Sequence, residues 1–125
     1  MNARTTHAAP WTLKSGTNRN QRRLWIEGKR LTALGLVKGV KLSRKMLRDG
    51  SMELNVVPHG WECAGKRHTV AGTVDRPILD LSGKWVTEFM GGAERFIVQP
   101  IVVNQAVTPT STLPVVTGLR ITPLS

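Results

Sequence analysis

From Arg22 onward the apolar positions fall into short, evenly spaced groups. Leu24-Trp25-Ile26 is a compact run of β character, broken by the turn-like Glu27-Gly28. Residues 29–36 read as a short helix: Leu31 and Leu34 share a face three residues apart, and Gly35 suits its C-terminal stop. Val37-Lys38-Gly39 is a loop. Val40-Lys41-Leu42-Ser43 alternates apolar and polar residues, as a half-buried strand does. Asp49-Gly50 is a hairpin signal, and Met52 to Val57 alternates again until Pro58 stops it. The predicted unit is strand, short helix, strand, turn, strand.

The pattern then repeats. Residues 59–75 form a polar connector, with a short strand predicted over His68–Val74. Ile78-Leu79-Asp80-Leu81 is a strand, and Ser82-Gly83-Lys84 repeats Glu27-Gly28-Lys29 at an offset of 55. Trp85–Met90 is a short helix ended by Gly91-Gly92, and Arg95–Val98 is a strand. Such a unit is too small to bury its own apolar face, so two copies must pack together. Residues 99–125 depart from the repeat. Pro100, Pro109, Pro114 and Pro123 punctuate them, which suggests edge strands at 101–103 and 113–116, with a last strand at 119–121.

Charge changes this picture sharply. Residues 1–50 hold twelve Lys/Arg, including Arg4, against Glu27 and Asp49, which accounts for the whole net charge of +10. Residues 51–125 balance six bases with six acids. A surface this basic attracts a polyanion, nucleic acid above all. On the strand after the first helix, period 2 puts Lys41, Ser43 and Lys45 on one face, with Val40 and Leu42 toward the core and Arg44 at a frayed end. Residues 1–21 read as a flexible basic arm, with a transit peptide as the alternative. In that arm Trp11 either docks on the body or stacks on a base. No apolar run approaches the ~20 residues that cross a bilayer, and the start of the chain lacks the apolar core of a secretory signal. A lone cysteine, Cys63, excludes an internal disulfide. A cytoplasmic, membrane-free protein is expected.

Reactive chemistry is sparse. Glu27 reads as an ion-pair partner of Arg23 or Arg30. His59, Cys63 and His68 follow an H-x3-C-x4-H spacing, short of the four paired ligands of structural zinc, and nothing around Cys63 resembles a nucleophile setting. His59 and His68 are the best acid–base pair for a metal-free ribonuclease, with Lys66 or Arg67 beside the phosphate. An ordinary loop is the default. Gly28-Lys29 and Gly83-Lys84 are not phosphate loops, lacking the upstream Gly and the following Ser/Thr. Trp25 and Trp85 are expected in the core. Trp61 is the better base-stacking candidate.

Residues 23–31 (Arg-Leu-Trp-Ile-Glu-Gly-Lys-Arg-Leu), then Leu34-Gly35-Leu36, Gly39-Val40 and the strand-turn-strand through Val57, resemble the SymE-like branch of the AbrB-type swapped-hairpin proteins. Residues 79–85 fit the same pattern more loosely, and 99–125 lie outside it. The resemblance implies a small β-rich barrel of two such units, supplied either by one chain as a monomeric pseudo-dimer or by two chains as the family's usual homodimer. It implies phosphate contacts at Arg22, Arg23, Lys29, Arg30, Lys38, Lys41, Arg44 and Lys45, and it carries over no catalytic residue.

The expected fold is therefore mostly β with two short helices (α+β), a small barrel or sandwich of two strand-helix-strand-strand units. Unit one is 22–58, the connector 59–75, unit two 76–98, and a Pro-punctuated segment 99–125 follows. The expected function is binding of nucleic acid, DNA favoured over RNA, by Arg19, Arg22, Arg23, Lys29, Arg30, Lys38, Lys41, Arg44, Lys45, Arg48, Lys66 and Arg67, without metal or cofactor. The alternatives are a SymE-like RNA-degrading toxin and a phage or mobile-element inhibitor of a nucleic-acid-processing host complex. For the inhibitor, 99–125 would meet the protein partner.

Overall fold

The structure, a computed structural model, describes residues 9–62 and 65–124. Arg4 and Cys63 lie outside the described residues. The chain is mostly β with two short helices. Its strands are β1 (Trp11–Lys14), β2 (Gly16–Asn18), β3 (Gln21–Glu27), β4 (Lys41–Met46), β5 (Met52–Val56), β6 (Arg67–Thr69), β7 (Ala71–Gly72), β8 (Pro77–Ser82), β9 (Arg95–Thr108) and β10 (Ser111–Leu124). The helices are α1 (Lys29–Ala33) and α2 (Lys84–Met90).

Two sheets enclose one core. The larger is six-stranded in the order β1-β9-β10-β5-β4-β6, and the smaller is four-stranded in the order β2-β3-β8-β7. Period-2 alternation sends Leu42, Met52, Leu54, Phe96, Val98, Leu119 and Ile121 inward from the first, and Leu24, Ile26, Leu79 and Leu81 inward from the second. Leu31, Val86 and Met90 seal the core from the helices. Burying each such side chain stabilises the fold by roughly 1.5–3 kcal/mol.

Both sheets read the same from either end. Elements β1–β5 with α1 and β6–β10 with α2 occupy matching places: β3 pairs β8, β5 pairs β10, β1 lies against β9 and β6 against β4. Each helix is entered through a glycine with positive φ, Gly28 at 94° and Gly83 at 121°, where a side chain would be strained. At the seam between β5 and β10, a Cβ on Gly118 would collide with the Leu54 carbonyl oxygen.

Two sequence expectations need correction. The presumed arm is partly strand. Trp11 is buried against β9, and Ser15 donates to the Glu94 carbonyl, which anchors β1 and the entry to β2. Residues 99–125 are two long strands, not a set of short ones: 119–121 lie in the middle of the larger sheet, between β5 and β9, while 101–103 and 113–116 have one strand partner each, as edge strands do. The prolines are tolerated because each sits where its strand has one partner. Pro100 lies past the last β1–β9 pair at Val98, and Pro114 and Pro123 flank the β5-paired stretch Gly118–Ile121. A missing N–H removes no second ladder bond at such places. Beyond Ile101, β9 and β10 pair only with each other among the described residues and form an uncharged hairpin that carries exposed Val102, Val103, Val107 and Leu113.

Candidate nucleic-acid interface

The outer face of the six-stranded sheet is built by alternation. On β4, Leu42 is fully buried, so Lys41, Ser43 and Lys45 point away from the core. On β6, His68 lies opposite Leu42 and faces inward, which turns Arg67 outward beside Ser43. On β9, buried Phe96 and Val98 leave Arg95 and Gln99 outside, and on β1 Lys14 lies opposite Arg95. One cross-sheet row reads Lys45, Glu53, Arg120, Gln99. Arg120 reaches Glu53 at 3.5 Å. Lys14, Lys41, Lys45, Arg67 and Arg95 have no ion-pair partner among the described residues. Arg67 on β6 and Lys14 on β1 are separated by five inter-strand steps and by six residues of register along the strands, so they stand at opposite corners of the sheet.

The structure disperses the remaining predicted contacts. Arg19 occupies the β2–β3 turn at φ 53°. Arg22 is half-buried on the inward row of β3. Its Nη1 is 3.4 Å from Ser15 Oγ, and its backbone N–H donates to Thr87 Oγ1 at 2.8 Å. Arg23 donates to both Asp80 oxygens at 2.8 Å and stacks 4.4 Å from the Trp25 ring centroid. The bond to Asp80 raises its pKa further. Lys29 and Arg30 sit on α1, with Arg30 5.0 Å from the ring of Trp11. Lys38 and Lys66 lie in loops and Arg48 in the β4–β5 turn, all exposed. Of the predicted set, only Lys41, Lys45 and Arg67 share the outer face of the six-stranded sheet. Lys14, Arg95 and Arg120 were missed, although Trp11-Thr12-Leu13-Lys14 and Arg95-Phe96-Ile97-Val98 both alternate in sequence.

Arg44 was expected at a frayed end. Period 2 instead puts it on the inward row of β4 with Leu42, where its Cζ lies 3.6 Å from the Trp85 ring centroid. Its Nη1 is 3.4 Å from His68 Nε2, and the His68 and Trp85 rings lie 5.5 Å apart. Burial lowers the pKa of Arg44. Burial, and then the neighbouring Arg44 charge, push His68 below the ordinary value of 6.5. This cluster ties β4 and β6 to α2, and Arg44 is committed to it. His59 is exposed in the turn after β5, in a setting unlike that of His68. Among the described residues no three His, Cys, Asp or Glu form a metal-binding group.

Glu27 pairs with Arg76 at 3.0 Å, not with Arg23 or Arg30, because Arg23 is held by Asp80 and Arg30 lies over Trp11. Trp25 was expected in the core. It belongs to the outward row of β3 and is 37% exposed. Trp61 is 72% exposed and lines a cleft of about 410 Å³ with Lys38, Lys41 and His59.

No protein-family model matches this chain, no curated protein is similar to it, and no solved structure matches it. The geometry stands alone as the guide to function. No helix among the described residues is long and apolar enough to cross a membrane.

Proposed function

We propose that this chain binds nucleic acid, laying the phosphate backbone across the outer face of its six-stranded sheet. The observation that carries this reading is the set Lys14, Lys41, Lys45, Arg67 and Arg95, which share one face without an acid of their own. Cations on a rigid sheet are held at fixed spacing, and phosphate contacts position a polyanion without reading its sequence. Trp61, beside Lys38 and Lys41, gives this face an aromatic neighbour. The palindromic strand order supports a swapped-hairpin fold of the AbrB type with both units in one chain. DNA is the favoured ligand.

A second reading has one observation in its favour. The distal hairpin carries no charge in a chain of net +10, and phosphate binding does not use it. It suits a protein partner, as the inhibitor alternative requires.

A salt-titrated gel shift with labelled DNA and RNA tests the first reading. Binding at 50 mM salt that weakens steeply as salt rises is expected; no complex with either polymer at 50 mM salt overturns it. Pull-down of a host protein that survives nuclease treatment, and is lost when residues 103–113 are replaced by a short turn, would favour the second.

A further inference from the structure

Where β1, β3 and the start of α1 meet, an open groove of about 500 Å³ is lined by Trp25, Thr12, Leu13, Glu27, Lys29 and Arg30. We infer that this groove is a stacking subsite for an unpaired nucleobase, so that the ligand is single-stranded nucleic acid. The inference rests on the proposed function and adds the strandedness of the ligand to it.

An indole that could have been buried is kept at the surface. Trp25 sits on the outward row of β3 opposite Asp80, while its neighbours Leu24 and Ile26 take the core positions. Arg23 lies over its ring at 4.4 Å and is fixed by two hydrogen bonds to Asp80. The indole is thus held against a cation that is itself immobilised. A base stacked on a preorganised aromatic gives up less freedom in the complex.

The charges around the ring suit the phosphate that accompanies a base. Glu27 is neutralised by Arg76 at 3.0 Å, which leaves Lys29, and Arg30 over the Trp11 ring, as the groove's cations without an acid partner. The volume falls in the range of small-ligand sites and accommodates a base with its sugar and phosphate. The groove also continues the proposed interface. Thr12 shares the outward row of β1 with Lys14, so a strand crossing the sheet past Lys14 leaves it over Thr12 and into the groove. A duplex keeps its bases stacked on one another and cannot offer one to Trp25; a single strand can.

The test compares labelled oligothymidylate and oligouridylate with a duplex of equal length, against the full chain and its Trp25→Ala and Trp25→Phe variants. Both variants are first checked for an unchanged circular dichroism spectrum. The inference expects tighter binding of the single strands, a loss of roughly tenfold or more in Trp25→Ala for them alone, and retention of most affinity in Trp25→Phe. Quenching of tryptophan emission by the oligonucleotides should shrink in Trp25→Phe. Duplex and single strand bound alike, with Trp25→Ala inert or weakening both equally, would overturn the subsite and leave the phosphate-binding face standing. Absence of binding to every polymer would overturn both.

Discussion

On the four-stranded sheet Arg23 grips Asp80 through two nitrogens, and Arg76 reaches Glu27. On the six-stranded sheet five cations stand without acids, and only Arg120 meets one, Glu53. The two faces are made from similar residue types and differ in how charge is placed. Cross-strand neighbours of opposite sign make the first locally neutral. On the second, Lys14 faces the like charge of Arg95, Lys41 and Arg67 face the neutral Thr69 and Ser43, and Lys45 faces Glu53, whose carboxylate Arg120 holds. Like charges on adjacent strands cost stability, by a few tenths of a kcal/mol or more per close pair. The fold carries that cost on one face alone, as expected of a surface whose neutralising partner arrives from outside.

Neutralising the basic face should have the largest effect. The variant K41Q/K45Q/R67Q is expected to lose about 100-fold or more in affinity for DNA at 50 mM salt, by titration of a labelled oligonucleotide, with its melting temperature unchanged or raised. The seam that joins the two halves comes next. Gly118→Val forces a side chain into the Leu54 carbonyl, and chemical denaturation should show a loss of about 3 kcal/mol. Smaller is the Arg44–Trp85 stack: Arg44→Ala should cost about 1 kcal/mol of stability. DNA affinity should then fall far less than in the triple variant.

The His68 site adds a pH dependence of known sign. Its folded pKa lies below 6.5, so the unfolded chain binds the proton more readily. Its stabilising contribution is complete above pH 6.5 and declines as pH falls through 6.5 toward the folded value. Denaturation at pH 7.5 and at pH 5.5 should show the loss at the lower pH, and His68→Gln should remove part of it. The smallest effect is expected away from both sites: K84Q, which removes a cation paired with Glu88 on α2, should change DNA affinity less than twofold.

The elements themselves could be read from the residues. The alternation around Leu42 and Leu54 and the glycines at 28 and 83 placed strands and helices close to where they lie, because local pattern determines local structure. The face was only half visible. Lys41 and Lys45 follow from period 2 on a single strand. Arg67 and Arg95 join them through pairings between residues 24 or more apart, which no local pattern encodes. Arg44 was misread because Leu42 had already fixed the inward row, and an arginine two residues further had to follow it. The partly buried ring of Trp85 makes that placement tolerable. Prolines in 99–125 suggested edges, since the sequence does not reveal where a long strand has one neighbour or two.

The central claim is that the unpaired cations of the six-stranded sheet are the phosphate contacts, and the salt dependence of DNA binding measures this most directly. Each contact contributes about −0.9 to the slope of log K against log salt on a duplex and about −0.7 on a single strand. K41Q/K45Q/R67Q should therefore flatten the slope by about 2.7 on a duplex or about 2.1 on a single strand, while K84Q leaves it unchanged. An unchanged slope in the first variant, or equal flattening in both, would contradict the account.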